Sequence, residues 1–170
     1  GTASSSTGIA TVFSTSASVI IDSIKVLPGA TGTLNVALQA AGSATNIASY
    51  NFTVTAAMVG NFVNVPVNLT VPSSGNYQLT TSGVACSYYS SYSGSYSAAY
   101  MSLGGVFTLT GAALSATSAA STVYYGTAFR IAISSSCPAG SGARIPVLVQ
   151  SNPAYAVNVT PSVPSTCQGL

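Results

Sequence analysis

The stretch Val63-Asn64-Val65-Pro66-Val67-Asn68-Leu69-Thr70-Val71 has an apolar residue at every odd position. Successive side chains of a strand point to opposite faces, so this alternation predicts a strand with one buried and one exposed face, as in antiparallel sheets. Pro66 lacks the N–H group that a sheet ladder needs, and we therefore expect the strand to lie at an edge or to carry a bulge there.

The same alternation recurs on both sides of this stretch, at residues 34–38, 50–54, 145–149 and 155–159. Turn-forming pairs such as Pro28-Gly29 separate the runs, and no segment has a helical period. Short strands with turns about every 8–12 residues predict an all-β antiparallel sandwich, either Ig-like or jelly-roll-like.

One predicted strand, at residues 19–27, changes the phase of its alternation near Asp22. This change predicts a β-bulge. On a regular strand, Asp22 and Lys25 would point to opposite faces, and we expect two unrelated side chains.

A chain of 170 residues is long enough for one domain with a real core. We predict a single sandwich domain at residues 17–170, preceded by a separate segment at residues 1–16. That segment is either the first strand of its own sheet or a donor strand lent to a neighbouring subunit. In the second case residues 7–13 are the donor, and Ile9, Val12 and Phe13 supply its apolar side chains.

Charged residues make up 2% of the sequence, whereas soluble proteins average about a quarter. They are Asp22, Lys25, Arg130 and Arg144. A surface with so few charges does not repel a copy of itself, so the composition favours assembly with copies of the same chain. Three cations do not form a phosphate-tracking surface, which argues against nucleic acid. There is no membrane-spanning segment, because no apolar run reaches about 18 residues.

The sequence also lacks the residues that enzymes use. It contains no histidine and a single carboxylate side chain, which excludes a Ser-His-Asp triad and paired carboxylates. Three scattered cysteines do not form a zinc site. We therefore predict a protein that is not an enzyme and has no metal and no cofactor.

The three cysteines are Cys86, Cys137 and Cys167. An odd number in a chain rich in Ser and Thr suggests a secreted protein with one disulfide. Cys137 and Cys167 flank the last predicted hairpin and are the favoured pair, which leaves Cys86 unpaired or as an alternative partner. Three buried, unpaired thiols are the other interpretation.

A tract of tyrosine and serine at residues 87–100 differs in composition from both flanks. Its tyrosines are Tyr88, Tyr89, Tyr92, Tyr96 and Tyr100. Tyrosine and serine give adaptable contacts at low entropic cost, so the tract is a candidate interface for a neighbouring subunit or a glycan. The alternative is an irregular hairpin whose rings pack over the end of the sandwich.

Three Asn-x-Thr sequons begin at Asn51, Asn68 and Asn158, each on the polar face of a predicted strand. In a secreted protein they are candidate sites for N-glycans.

Several segments resemble the secreted cell-surface and adhesin-like β-sandwich domains of the Bacteroidota phylum. The matching segments are ASVIIDSIKVLP at 17–28, GTLNVAL at 32–38, GNYQL at 75–79, GGVFTLTG at 104–111, and residues 137–149 with their Arg-x-Pro-Val. The resemblance implies export, a sandwich fold and a structural or adhesive role on the cell surface. It also implies that Asp22-Ser23-Ile24 is an O-glycosylation signal with Ser23 as the acceptor. The tyrosine tract departs from this family, where the loop is less aromatic.

In its general style the chain also resembles the low-charge, donor-strand filament subunits of extracellular pili. Taken together, these observations predict an extracellular structural protein that self-assembles into a cell-surface filament, pilus or sheath. The alternative prediction is an adhesin or carbohydrate-binding module that uses the tyrosine tract to bind surface glycans.

Overall fold

The computed structural model describes residues 2–90, 102–122, 126–135 and 147–150. Within these ranges the chain is all-β apart from one 3-10 turn at Ala56–Met58. The strands are β1 (Thr2–Ser6), β2 (Ala10–Thr15), β3 (Val19–Val26), β4 (Gly32–Ala40), β5 (Asn46–Val54), β6 (Val63–Val65), β7 (Leu69–Val71), β8 (Gly75–Ser82), β9 (Cys86–Ser90), β10 (Ser102–Leu103), β11 (Phe107–Ala113), β12 (Arg130–Ser135) and β13 (Val147–Gln150).

Most strands belong to two sheets. The first sheet has six strands in the order β10-β11-β2-β8-β4-β5, and the second has the order β13-β12-β3-β6, with β7 also paired to β3. β1 and β9 form a separate two-stranded ladder. Every pair among these strands is antiparallel. This architecture confirms the predicted all-β sandwich; the choice between Ig-like and jelly-roll-like connections stays a prediction.

The core lies between the two sheets and follows the alternation in the sequence. Leu34, Val36 and Leu38 of β4 are fully buried, as are Ile21 and Ile24 of β3. Both sheets therefore contribute one apolar face, and at about 25 cal/mol per Å2 of buried apolar surface this core is the main stabilising element. The opposite face of each sheet is the outer face of the sandwich.

The stretch around Pro66 forms two short strands along one edge of the second sheet. β6 pairs with one half of β3 and β7 pairs with the other half, and among the described strands neither has another partner. Between them Asn68 adopts a positive φ of 48° and donates its N–H to the carbonyl oxygen of Asp22 at 3.2 Å. The edge position expected at Pro66 is confirmed, but the single strand predicted over 63–71 is interrupted at residues 66–68 and no bulge is formed there.

The predicted bulge in β3 is also confirmed. Ala132 lies opposite Ser23 and Ile133 lies opposite Ile21, so Asp22 is the extra residue. The bulge shifts the alternation of buried and outward-facing residues by one position. Ile21 is buried before the bulge, and Ile24 and Val26, on either side of Lys25, are buried after it. Asp22 and Lys25 consequently share the outer face of the sheet. The expectation that they face opposite sides was wrong, since it assumed a regular strand.

Candidate functional site

The segment predicted as a donor strand lies in the centre of the six-stranded sheet. β2 pairs with β8 on one side and with β11 on the other. Phe13 is completely buried, and its ring stacks on Phe107 at a centroid distance of 4.8 Å and on Tyr77 at 6.0 Å. Ile9 and Val12 are buried as well. The three predicted donor side chains thus all lie inside the fold of this single chain, and exchange with a neighbour stays a prediction.

The outer face of β2 is covered too. Ala10 and Val12 form a small buried cluster with Ala113 of β11. On the core side, Thr11 is buried, and its Oγ1 accepts a hydrogen bond from the N–H of Ala128 at 3.3 Å. β2 therefore fills a slot that is closed by a strand on each edge and by side chains on both faces.

Hydrogen bonds hold both ends of β2. Before the strand, Gly8 has a φ of 81° and donates its N–H to the carbonyl oxygen of Thr81 at 2.7 Å. After it, residues 16–18 cross directly from the first sheet to β3 in the second. Ser16 donates its N–H to the carbonyl oxygen of Val106 at 3.0 Å, and Ser18 Oγ donates to that of Val71 at 2.8 Å.

Cys86 lies where the β1–β9 ladder joins the core. Its thiol is free and fully buried. Its backbone lies opposite Ser6 of β1 and forms an isolated antiparallel β-bridge with Pro28. Burial raises the pKa of the Cys86 thiol to about 11, because the thiolate loses its hydration there. The predicted pair, Cys137 and Cys167, lies outside the described residues.

The tyrosine tract is described only at its start. Tyr88 is half-buried on β9, and the backbone of Tyr89 continues the ladder with β1. Tyr92, Tyr96 and Tyr100 lie outside the described residues, so the tract stays a predicted interface.

Two of the three sequons are described, and both asparagines are exposed. Asn51 lies on β5 and accepts a hydrogen bond at its Oδ1 from Asn35 Nδ2 at 2.7 Å. Asn68 occupies the positive-φ position between β6 and β7. Ser23, the predicted O-glycan acceptor, is half-buried beside the bulge, and Asn158 lies outside the described residues. Modification of all four stays a prediction.

The outer face of the six-stranded sheet carries a groove of about 240 Å3 that the sequence analysis did not predict. Its lining residues are small or carry amide and hydroxyl groups, and none of them is charged. They are Gly8, Asn35, Ala37, Gln39, Asn46, Thr80, Thr81, Ser82, Ser115 and Ala116. Neutral amides and hydroxyls of this kind suit an uncharged, hydroxyl-rich ligand.

Gln39, one of the lining residues, is hydrogen-bonded to a second buried glutamine, Gln78. Gln78 Nε2 shares its N–H groups among Gln39 Oε1 at 3.0 Å and the carbonyl oxygens of Ser43 and Ala116. Gln39 Nε2 donates to Asn46 Oδ1 at 2.8 Å. Each amide thereby fixes the orientation of its neighbour. No pattern in the sequence indicated this network, since outward-facing glutamines on a strand normally face water.

Within the described ranges, no group of three His, Cys, Asp or Glu side chains is placed to hold a metal ion. No helix in the described part of the chain is long and apolar enough to cross a membrane. Comparisons with protein-family models, curated proteins and solved structures find no match.

Proposed function

We propose that this protein is an extracellular structural subunit that assembles with copies of itself into a cell-surface filament, pilus or sheath. In this proposal β2 is the strand that passes between subunits. The observation that supports it most is the position of β2, because a single short segment, joined to β3 by residues 16–18, fills a central slot. Without β2, both β8 and β11 would expose an unpaired edge, and such edges readily take up a strand from another chain.

The contacts of β2 allow exchange at little cost in free energy. The β2 strand of a second copy would make the same contacts with Phe107 and Tyr77 that the chain's own β2 makes. The stacking and hydrogen bonds therefore cancel between the closed and the exchanged forms, and the length of the link at residues 16–18 decides between them. A link of three residues spans at most about 10 Å, and short hinge loops favour swapping.

The near-absence of charge supports the same proposal. The four charged side chains cannot maintain repulsion between copies that approach closely. The exposed faces carry amides and hydroxyls, which hydrogen-bond to a neighbour without repelling it. The resemblance to cell-surface and filament proteins is consistent with an extracellular location.

A crosslinking experiment distinguishes an exchanged from an internal β2. Ser14 of β2 lies opposite Asn76 of β8, and both side chains point away from the core. In a background with all three native cysteines replaced by serine, Ser14→Cys chains and Asn76→Cys chains are mixed, unfolded, refolded together and oxidised. We expect disulfide-linked dimers that contain one chain of each kind, and filaments by electron microscopy.

The control pair is Asn35→Cys and Asn51→Cys, which lie opposite each other in the β4–β5 hairpin. This hairpin does not take part in the exchange, so its mixed chains should not crosslink. If the Ser14→Cys and Asn76→Cys substitutions form a disulfide within one doubly substituted chain and never between chains, β2 is internal. A variant without residues 7–13 that still forms normal filaments would also refute the donor-strand proposal.

A second candidate function is a carbohydrate-binding or adhesin module, and the groove on the six-stranded sheet favours it. Its uncharged amide and hydroxyl lining suits a neutral sugar. The sequon residue Asn51 is hydrogen-bonded to Asn35, which is one of the lining residues. A glycan array with the wild type, an Asn46→Ala variant and a variant with the tyrosines of the tract changed to serine tests it. The Asn46→Ala variant should lose binding if the groove is the site. Absence of any binding by the wild type would eliminate this function.

A further inference from the structure

Two of the three cationic side chains in the sequence lie side by side on the outer face of the five-stranded sheet. Lys25 of β3 is directly opposite Arg130 of β12. The flanking residues Ile24 and Val26 are fully buried, so the Lys25 side chain points outward. Directly opposed like charges destabilise a sheet. A chain with so few charges thus places two of them where they repel each other.

The guanidinium of Arg130 is also incompletely satisfied. Its Nε atom is buried and has no hydrogen-bond acceptor in the described part of the chain. Buried donors are nearly always paired, and an unpaired one requires an explanation. Asp22, the single acidic side chain of the sequence, lies further along the same face, where its Oδ1 accepts a hydrogen bond from Ser134 Oγ at 2.8 Å.

Neutral and aromatic groups lie next to the two cations. Asn64 of β6 is exposed and lies opposite Lys25 on the other side of β3. Phe62 precedes this strand and is 54% exposed, and its ring meets that of Phe129 edge-on at 5.2 Å. Phe129 in turn donates its N–H to the carbonyl oxygen of Lys25 at 2.8 Å. The cations therefore lie close to an amide and an exposed aromatic ring.

We propose that Lys25 and Arg130 bind a carboxylate group of an acidic polysaccharide, such as one built from uronic acids. A carboxylate is the natural bidentate partner of a guanidinium. When the Arg130 side chain rotates toward the ligand, the carboxylate accepts hydrogen bonds from its Nε and from one terminal nitrogen. The negative charge of the carboxylate also offsets the repulsion between Arg130 and Lys25. Asn64 and Phe62 then contact the hydroxyl groups and the C–H face of the sugar ring. This face is the opposite side of the sandwich from the neutral groove.

Binding of oligogalacturonate to the full chain, measured by calorimetry at low and at physiological salt, tests the proposal. We expect binding that weakens with salt and that falls at least tenfold in Arg130→Gln and in Lys25→Gln. Arg130→Lys keeps the charge but loses the bidentate geometry, so it should show an intermediate loss. Arg144→Gln is the charge-matched control: it lowers the net charge by the same amount, and it should bind as the wild type does if the Lys25–Arg130 pair is the site. Methyl-esterified oligogalacturonate of the same length should not bind.

Thermal unfolding shows whether each variant is folded. Neither Lys25→Gln nor Arg130→Gln should lower the unfolding midpoint, and oligogalacturonate should raise the midpoint of the wild type and of Arg144→Gln more than that of these two variants. Three results would overturn the proposal. They are an absence of binding, an equal loss in Arg144→Gln, and equally tight binding of a polyglutamate peptide, which would indicate an acidic peptide as the ligand. None of them bears on filament assembly through β2.

Discussion

The substitution Phe13→Ala probes the slot that β2 fills. Phe13 is completely buried between the rings of Phe107 and Tyr77. Removing a buried phenylalanine ring costs about 3–5 kcal/mol, because apolar burial is lost and a cavity remains. A domain of this size has a total stability of about 5–15 kcal/mol, so the loss is a large fraction of it.

Urea unfolding followed by circular dichroism measures this loss. With an m-value of about 2 kcal/mol per M, a loss of about 4 kcal/mol lowers the unfolding midpoint by about 2 M urea. If β2 passes between subunits, the same substitution should also weaken the assembled form, because the exchanged strand inserts the same ring. Filaments of the variant should then dissociate at a lower urea concentration than those of the wild type.

The matched control is Phe62→Ala, which removes the same atoms from a ring that is 54% exposed. We expect it to cost less than about 1 kcal/mol, as surface substitutions usually do. If Phe13→Ala destabilises the protein no more than Phe62→Ala does, Phe13 is not buried in solution, and the placement of β2 in the centre of the sheet is refuted.

Three further predictions concern other parts of the fold. Because burial raises the pKa of the Cys86 thiol from 9.0 to about 11, the unfolded state loses this proton at a lower pH than the folded state. The free energy of unfolding should therefore fall between pH 9 and 11 more steeply in the wild type than in Cys86→Ala. In Gly83→Ala the new Cβ would overlap the carbonyl oxygen of Thr33, whereas in Gly42→Ala, at a similar φ, it meets open space. Urea unfolding should show a loss of about 1–2 kcal/mol in Gly42→Ala and a clearly larger one in Gly83→Ala, and equal losses would contradict the close approach. Gln78→Leu removes the partner of several buried polar groups, so it should cost about 1–3 kcal/mol in the same assay; a neutral effect would mean that water reaches the network.

The position of Cys86 also offers a test of strand movement that is independent of crosslinking. The thiol is buried in the core beside the β1–β9 ladder, so it should become reactive only when this part of the fold opens. In a background with Cys137 and Cys167 changed to serine, a thiol reagent should label Cys86 slowly in the folded chain and rapidly during assembly. Rapid labelling of the folded, non-assembling chain would show that the ladder does not protect it.

The two proposed binding surfaces fit a surface filament because they leave β2 untouched. The groove lies on the outer face of the first sheet and the Lys25–Arg130 pair on the outer face of the second. In a filament that is linked through β2, each subunit would present both outer faces. Many weak sites along one filament would then bind a polysaccharide tightly through multivalency.

Local features of the sequence determined the fold class, the phase change at Asp22 and the edge position of Pro66. The first two depend on the alternation of apolar and polar side chains, and the third depends on the N–H group that proline lacks. Both features can be recognised from a few consecutive residues of the sequence. The scarcity of charge was equally evident from the composition. The relation of Asp22 to Lys25 was predicted wrongly, although a bulge at Asp22 already implies that the two side chains share a face.

Only the tertiary structure decided which polar residues are buried and which charges meet. Gln78 belongs to the outer face of its strand, but distant segments cover it, and no local pattern encodes that cover. Lys25 and Arg130 are far apart in the sequence and become neighbours only because β12 pairs with β3 in one register. Strand periodicity is a local property, whereas the pairing of strands depends on the packing of the whole core. For this reason the strands and the fold class could be predicted from the sequence, and the groove and the cation pair could not.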